Sequence, residues 1–458
     1  MTLRRGSART ALTLVTALLA GAGPVGCSRA EPAGPVIVFG SWTGDEEAVF
    51  RTVLHRFELK TGIRAEYQGH RDVSQVLQAG IERQRPPDVA VVPRLNDLQR
   101  YVNEDTLRPL DGIAGLTDDA GAAPQLIRVA PRSGPAGEPV GPKQVYAVAI
   151  ATHLKSVFWY DPARLAELGQ SGPPLTWEAL VAQSRAIEAR GRVAWCLGLS
   201  SPPVSGWPGT DWIEDILLHQ WGQQVYEQWT RGDLKWDSPE VQRSWRAWGE
   251  LLGLRSSRDL ARTGLFSTWV EAGSGLFTSP AGCHLDHQGS FAIHSYRSLP
   301  GVAAPGRFDF FPTPPVGSSD TSSLQEVSDD VAAMFRDSSP ARELMAYLAS
   351  QEAQEIWRRS SGGLHFSRRG PADAPSTPVI DKVAARLGTG TLCRDGSDLM
   401  PAAMATAFER AVLVYVQQPD RLDALLKELD AVSSAVPRAE WMDLGCDRAA
   451  PVTRRQGT

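Results

Sequence analysis

The sequence predicts an α/β fold in two lobes, and three observations carry that reading. Strand-like and helix-like stretches alternate as βαβαβ from Val36 to Val92, the order of a parallel sheet with right-handed crossovers. The chain has 458 residues, far more than one compact core needs. Nine of its fourteen tryptophans fall between Trp195 and Trp269, so the later region is aromatic in a way the first is not.

Residues 36–40 form a short β-rich run, 41–44 a turn, and Asp45 can cap the helix that follows. Val49, Phe50, Val53, Leu54 and Phe57 share one face of that helix and Gly62 ends it. Residues 63–67 alternate as a second strand, and 72–84 give a helix with Val73, Val76, Leu77 and Ile81 inward. A buried third strand follows at 88–92. In such sheets ligands sit beyond the carboxyl ends of the strands, which places 41–44 and 93–97 at the mouth of a cleft. From 111 to 143 the chain is rich in Gly, Pro and Ala and reads as a surface excursion. A β-rich stretch spans 144–160 with a break at 153–156, and Thr176 caps a helix through Arg190. In the turn-rich segment SGWPGTDW, Pro208 and Gly209 keep a helix from starting early. Another β-rich run covers 326–335, then a helix from Pro340 to about Arg359, a break at SSGG, and helices at 401–417 and 420–432.

The formal charge is −5, which argues against nucleic acid, whose phosphates demand clustered Lys and Arg. Arg4, Arg5 and Arg9, an apolar run over 11–20 and small residues up to Gly26 have the order of an export signal. After it no apolar run approaches the roughly 20 residues that span a bilayer. Cys27 then resembles the lipid-modified cysteine of bacterial lipoproteins, with Pro24 where that motif prefers Leu. The resemblance implies a mature chain beginning at Cys27, with 27–35 as a tether to the outer face of the cytoplasmic membrane. Four cysteines remain for an oxidising compartment, with three possible connectivities. Cys196 with Cys283 and Cys393 with Cys446 is the expected pairing, because both stay local along the chain.

No metal or cofactor is expected. There is no CxxC, and Cys283 followed by His284 and His287 is only a fragment of a metal pattern. Gly21, Gly23 and Gly26 match GxGxxG inside the export segment, with no strand before them. A phosphate loop, HExxH and GxSxG are all missing. Asp211, Glu214 and Asp215 could mimic a glycosidase carboxylate pair, yet spacing along one helix does not set them across a glycosidic bond.

Four stretches resemble the solute-binding proteins of bacterial ABC importers that capture sugars: VIVFGSWTGDEEAVFRTVLHRFELKTGI, VYAVAIATHLKSVFWYDPARL, PLTWEALVAQSRAI, and ARELMAYLASQEAQEIW leading into SGG. GWPGTDWIEDILL, residues 206–218, further resembles the α-glucoside-type branch. The resemblance implies a periplasmic-binding-protein-like fold of class II, with a ligand cleft between lobes and three crossings near 149–153, 327–331 and 360–364. An N-terminal lobe would hold 36–151 and 327–361, and a C-terminal lobe 152–326 and 362–458. It also implies a monomeric receptor that serves membrane permease subunits and a separate ATPase chain.

A sugar offers hydroxyls at its rim and C–H bonds on its faces, so capture needs aromatic platforms and planar polar side chains. Trp42 in the first βα turn, and Asn96 with Asp97 in the third strand's turn, can supply both from the first lobe. Trp207, Asp211 and Trp212 are the candidates of the second, followed by Trp269 and Gln288, with Asp330 at a crossing. Each has a plainer role open to it: Trp42 in packing, Asp211 as a helix cap, Asp330 in holding the hinge. Trp177, Trp245, Trp248 and Trp357 sit in helical patterns and read as core, and Arg94 as a solvated surface residue or a clamp on a carboxylated ligand. Two other functions keep the same features, an exported carbohydrate-active enzyme and a sugar-sensing lipoprotein without a transport partner.

Overall fold

In the computed structural model, which describes residues 34–116, 125–169, 172–202, 204–254, 258–317, 320–368 and 376–449, the opening alternation becomes three parallel strands. Cys27 and the export segment lie outside the described residues. Val36–Gly40 pairs in parallel with Ala65–Gly69 on one side and Val89–Val92 on the other. The crossovers are helices Asp45–Thr61 and Val73–Glu82. The first helix buries Phe50, Val53, Leu54 and Phe57, a stripe at helical spacing, and ends at Gly62 in the left-handed conformation. Its N-cap is Gly44, not Asp45. Asp45, Glu46 and Glu47 fill the first turn instead, where carboxylates meet the positive end of the helix dipole.

Two eleven-residue strands, Gln144–Leu154 and Leu324–Met334, organise the rest. They pair with each other antiparallel along most of their length. The carboxyl half of Leu324–Met334 also pairs with Val89–Val92, and its amino half with Thr391–Arg394. One sheet therefore runs through both halves of the molecule: the three parallel strands lie against one end of the long pair and Thr391–Arg394 against the other. Part of the expected excursion belongs to this sheet, since Leu126–Val129 pairs with Gln144–Leu154 and is largely buried. The break before the next strand, Val157–Tyr160, is only Lys155 and Ser156.

The second half owes its tryptophans to packing. Trp195, Trp212, Trp229, Trp236, Trp245 and Trp248 are each almost wholly buried in a single cluster. Helix Trp207–Thr230 starts at Trp207, so Pro208 and Gly209 lie inside it rather than delaying it. Proline is tolerated there because first-turn N–H groups have no carbonyl partner four residues back. Gly206 caps this helix at φ 105°, and a Cβ on Gly209 would stand 2.4 Å from Val412, so the glycine lets helix Ala402–Gln417 approach. The single helix expected from Pro340 to Arg359 is two, Ser339–Leu348 and Gln351–Ser360, and the Ser350 hydroxyl caps the second. Cys196 is bonded to Cys283 and Cys393 to Cys446. The fragment Cys283, His284, His287 is thus dispersed into a disulfide, a His284 contact with the Val193 carbonyl, and a His287–Asp215 pair.

Asp286, behind that disulfide, is buried and accepts the Tyr296 hydroxyl at 2.6 Å. Burial pushes its carboxyl up to about 7, with the Tyr296 hydroxyl pulling the other way. A group raised on folding contributes stability that is full below its unfolded value near 4 and is lost as pH rises through its folded value. The chain should therefore lose stability between about pH 4 and 7. In Asp286→Asn, urea unfolding across that window should show a shallower decline than in the parent.

Candidate ligand-binding site

Three half-buried aromatic rings meet on the second half. Trp207 lies edge-on to Trp269 and Phe291 at centroid distances of 6.3 and 5.9 Å, and Trp269 to Phe291 at 5.3 Å. The first turn of Trp207–Thr230 supplies Trp207, the start of helix Trp269–Ser274 supplies Trp269, and Phe291 precedes helix Ala292–Arg297. Trp207 is held by its indole N–H, which donates to Ser201. Lys155 sits 5.3 Å over its ring.

The long strands bring polar groups to this wall. His153 stands edge-on to Phe291 at 5.7 Å and its Nε2 lies 3.1 Å from Asp330. The buried His153 Nδ1 meets no partner among the described residues. From the first half, Glu46 is within electrostatic reach of Asp330, His294 and His153, and pairs with Arg71 at 3.6 Å. Burial raises the Glu46 carboxyl above its ordinary range, and Arg71 opposes the shift. Aromatic faces and hydrogen-bonding edges thus converge where the two long strands join the halves.

Behind Trp207, Lys155 lies 2.9 Å from Asp211 and 2.6 Å from Asp395. Burial alone would lower its pKa, but those carboxylates outweigh it and hold the ammonium well above the lysine range. Asp211 is pushed up to about 7 by burial, with Lys155 pulling it back. Asp211 is therefore not a cap: it lies inside the helix and fixes the ammonium against the indole.

The structure brings Trp207 and Trp269 into one wall, with Asp211 behind it and Asp330 beside it. The other sequence candidates are engaged elsewhere. Trp42 is clamped by the Tyr67 hydroxyl, which bridges its N–H and carbonyl, and its ring packs on Phe50 and Trp357. Asn96 donates to the carbonyls of Ser397 and Met400. Asp97 accepts from Arg100. Trp212 is stacked on His287 at 4.4 Å within the core. The Gln288 carbonyl accepts from Trp159, while its buried Oε1 meets no donor among the described residues. Arg94 is neither solvated nor poised for a ligand, since it pairs with Glu409 at 2.6 Å and Asp398 at 3.4 Å. Glu46, His153, Lys155 and Phe291 escaped the sequence reading. Lys155 and His153 had one signal, the polar interruption of an otherwise apolar strand.

The acidic trio on the helix is not arranged for acid–base work. Asp211 is held by Lys155, Glu214 accepts the N–H groups of Gly396 and Ser397, and Asp215 lies between His219 and His287. All three are buried.

Residues 42–254 match the model of the family described as bacterial extracellular solute-binding protein. The osmoprotective compounds-binding protein GgtB of Synechocystis is 30% identical over 396 residues, 85% of this chain and 90% of GgtB. The chain belongs to the bacterial extracellular solute-binding proteins. The alpha-glucosides-binding periplasmic protein AglE of Rhizobium meliloti is 28% identical over 83% of this chain and 82% of its own length. Among solved structures, the solute receptor AcbH, described as having an exclusive preference for β-D-galactopyranose, superposes with a TM-score of 0.70 at 17% identity. That match covers 88% of this chain and 98% of AcbH. A chitin oligosaccharide binding protein gives 0.68 over 89% of this chain and all of its own, again at 17% identity. The fold of this solute-binding protein is therefore the two-lobed α/β fold of its family, and no described helix is long and apolar enough to cross a membrane.

Proposed function

We propose that this solute-binding protein captures a neutral carbohydrate, an α-glucoside or related oligosaccharide, between its lobes and passes it to the permease of an ABC importer whose ATPase is a separate chain. The observation that carries the proposal is the half-buried wall of Trp207, Trp269 and Phe291, with His153 against Phe291, Asp330 paired to His153 and Glu46 within electrostatic reach of both. The rings suit the C–H faces of a pyranose and the polar groups its hydroxyls. The names of GgtB and AglE, both of which cover most of this chain, support an α-glucoside or a compatible solute of similar chemistry.

We divide the lobes as 36–151 with 327–361 and 152–326 with 362–458, the long strands and the segment after Ser360 forming the hinge. Contacts to both lobes favour the closed arrangement, so the ligand shifts an existing balance between open and closed states. We further propose that Cys27 carries the lipid that tethers the receptor, as a monomer, to the outer face of the membrane. Burial and pairing of Asp211, Glu214 and Asp215 favour capture over hydrolysis.

Trp207→Ala should weaken sugar binding by about 2 kcal/mol, roughly thirtyfold, as expected for a central aromatic anchor. A thermal-shift screen over maltose, trehalose, sucrose and other α-glucosides identifies the ligand, and titration of the variant checks the loss. Undiminished affinity in Trp207→Ala would move the site away from this wall.

A further inference from the structure

The carboxylates of Glu214, Glu326 and Asp395 converge at a point outside the aromatic wall. One oxygen of each lies within 4.8 Å of the other two, and all three residues are buried. They come from separate elements: helix Trp207–Thr230, the long strand Leu324–Met334, and the residue capping the short helix Gly396–Leu399. Asp395 accepts from Ser397, from the Asp398 N–H and from Lys155, and its carboxylate stands within hydrogen-bond reach of the Glu214 carboxyl. Glu214 uses Oε2 for the N–H groups of Gly396 and Ser397, while its Oε1 meets no donor among the described residues. Glu326 is 0% exposed and neither of its oxygens meets a donor there.

A buried carboxylate without a partner is costly, and nearby cations do not cover the deficit. Lys155 already serves Asp211 and Asp395, and Arg94 serves Glu409 and Asp398. Oxygen ligands without nitrogen or sulfur select a hard cation. Two oxygens around one calcium ion at 2.3–2.6 Å lie at most about 5 Å apart, whereas around magnesium they lie at most about 4.2 Å apart. Oxygens that all lie within 4.8 Å of one another fall inside the calcium span.

We propose that Glu214, Glu326 and Asp395 bind one calcium-sized divalent cation, which cross-links helix Trp207–Thr230, the long strand and the segment after Thr391–Arg394. The site does not depend on the sugar reading, because none of the three residues belongs to the aromatic wall. Its sequence gave no metal pattern because the ligands are scattered over the chain.

The test uses the full chain, stripped with a chelator and dialysed. Calcium is titrated calorimetrically, and thermal unfolding is followed in calcium, in magnesium and in sodium chloride of matched ionic strength. The expected result is one tight equivalent of calcium and a Tm rise of about 3 °C at a hundredfold excess over Kd, with a smaller rise in magnesium. Glu326→Gln should fold, keep sugar binding and lose both the equivalent and the shift. Should Glu326→Gln not fold, Glu214→Gln decides by the same readouts, since its amide oxygen can still accept from Gly396 and Ser397. A parent chain that takes up no more calcium than these variants overturns the proposal. So does a gain in stability at lowered pH that disappears in Glu326→Gln while calcium leaves the parent unchanged, which would mean that protons rather than a cation neutralise the cluster.

Discussion

Asp329→Asn is expected to cost about 3–5 kcal/mol of stability, the loss seen when one partner of a buried ion pair is removed. Asp329 accepts from Arg368 at 2.9 Å and 3.1 Å, from Arg394 at 3.1 Å and from the Thr152 hydroxyl at 2.7 Å. Both guanidiniums are buried, so the neutral amide would leave two cations with too little negative charge. The three segments tied here are the long strand Gln144–Leu154, the strand Thr391–Arg394 and the stretch after Ser360, where the Phe366 carbonyl also accepts from the Thr152 N–H. Stability, hinge geometry and sugar affinity should fall together. Burial would raise the Asp329 carboxyl, but Arg368 and Arg394 hold it down at about 2. A group depressed on folding stabilises above its unfolded value near 4, and that stability is lost as pH falls through its folded value. Urea unfolding should therefore show the parent's advantage over Asp329→Asn shrinking from about pH 4 to pH 2. A constant difference over that range would mean that shape rather than charge holds the knot.

The double variant Cys196→Ser/Cys283→Ser should lose about 4–5 kcal/mol if the bridge acts mainly on the unfolded chain, whose closed loop spans 87 residues. The bridge pins the Trp195–Leu285 pairing and lies beside Gly275, just beyond helix Trp269–Ser274. Trp269 and Phe291 stand on the two sides of it in sequence. Chemical unfolding of the variant, compared with the parent under oxidising conditions, measures the loss, and sugar titration should show weaker binding as the wall loosens. Equal stability in the two proteins would contradict the assignment of a structural role.

Local signals carried most of the fold. A short β-rich run, an alternating stretch and a buried apolar run gave the three parallel strands, helical spacing gave the buried face of Asp45–Thr61, and Thr176 caps its helix as its side chain allows. What escaped depended on distant partners. Gly209 read as a breaker because the sequence does not show Val412 packing against it. The strand Leu126–Val129 sits in a stretch rich in turn residues, and only its pairing with Gln144–Leu154 makes it regular. The site was half legible for the same reason. Trp207 and Trp269 stand out by residue type, whereas Phe291 and His153 belong to the wall only because the chain folds them together. Asn96 looked like a ligand group until the carbonyls of Ser397 and Met400 claimed its amide.

The most direct test of capture without conversion is calorimetric titration of the parent protein with α-glucosides, followed by chromatography of the recovered sugar. Saturable one-to-one binding of at least one of them, weakened about thirtyfold in Trp207→Ala and with the sugar returned intact, is the predicted result. Absence of heat with every sugar tried, or cleavage of the sugar during the experiment, would contradict it.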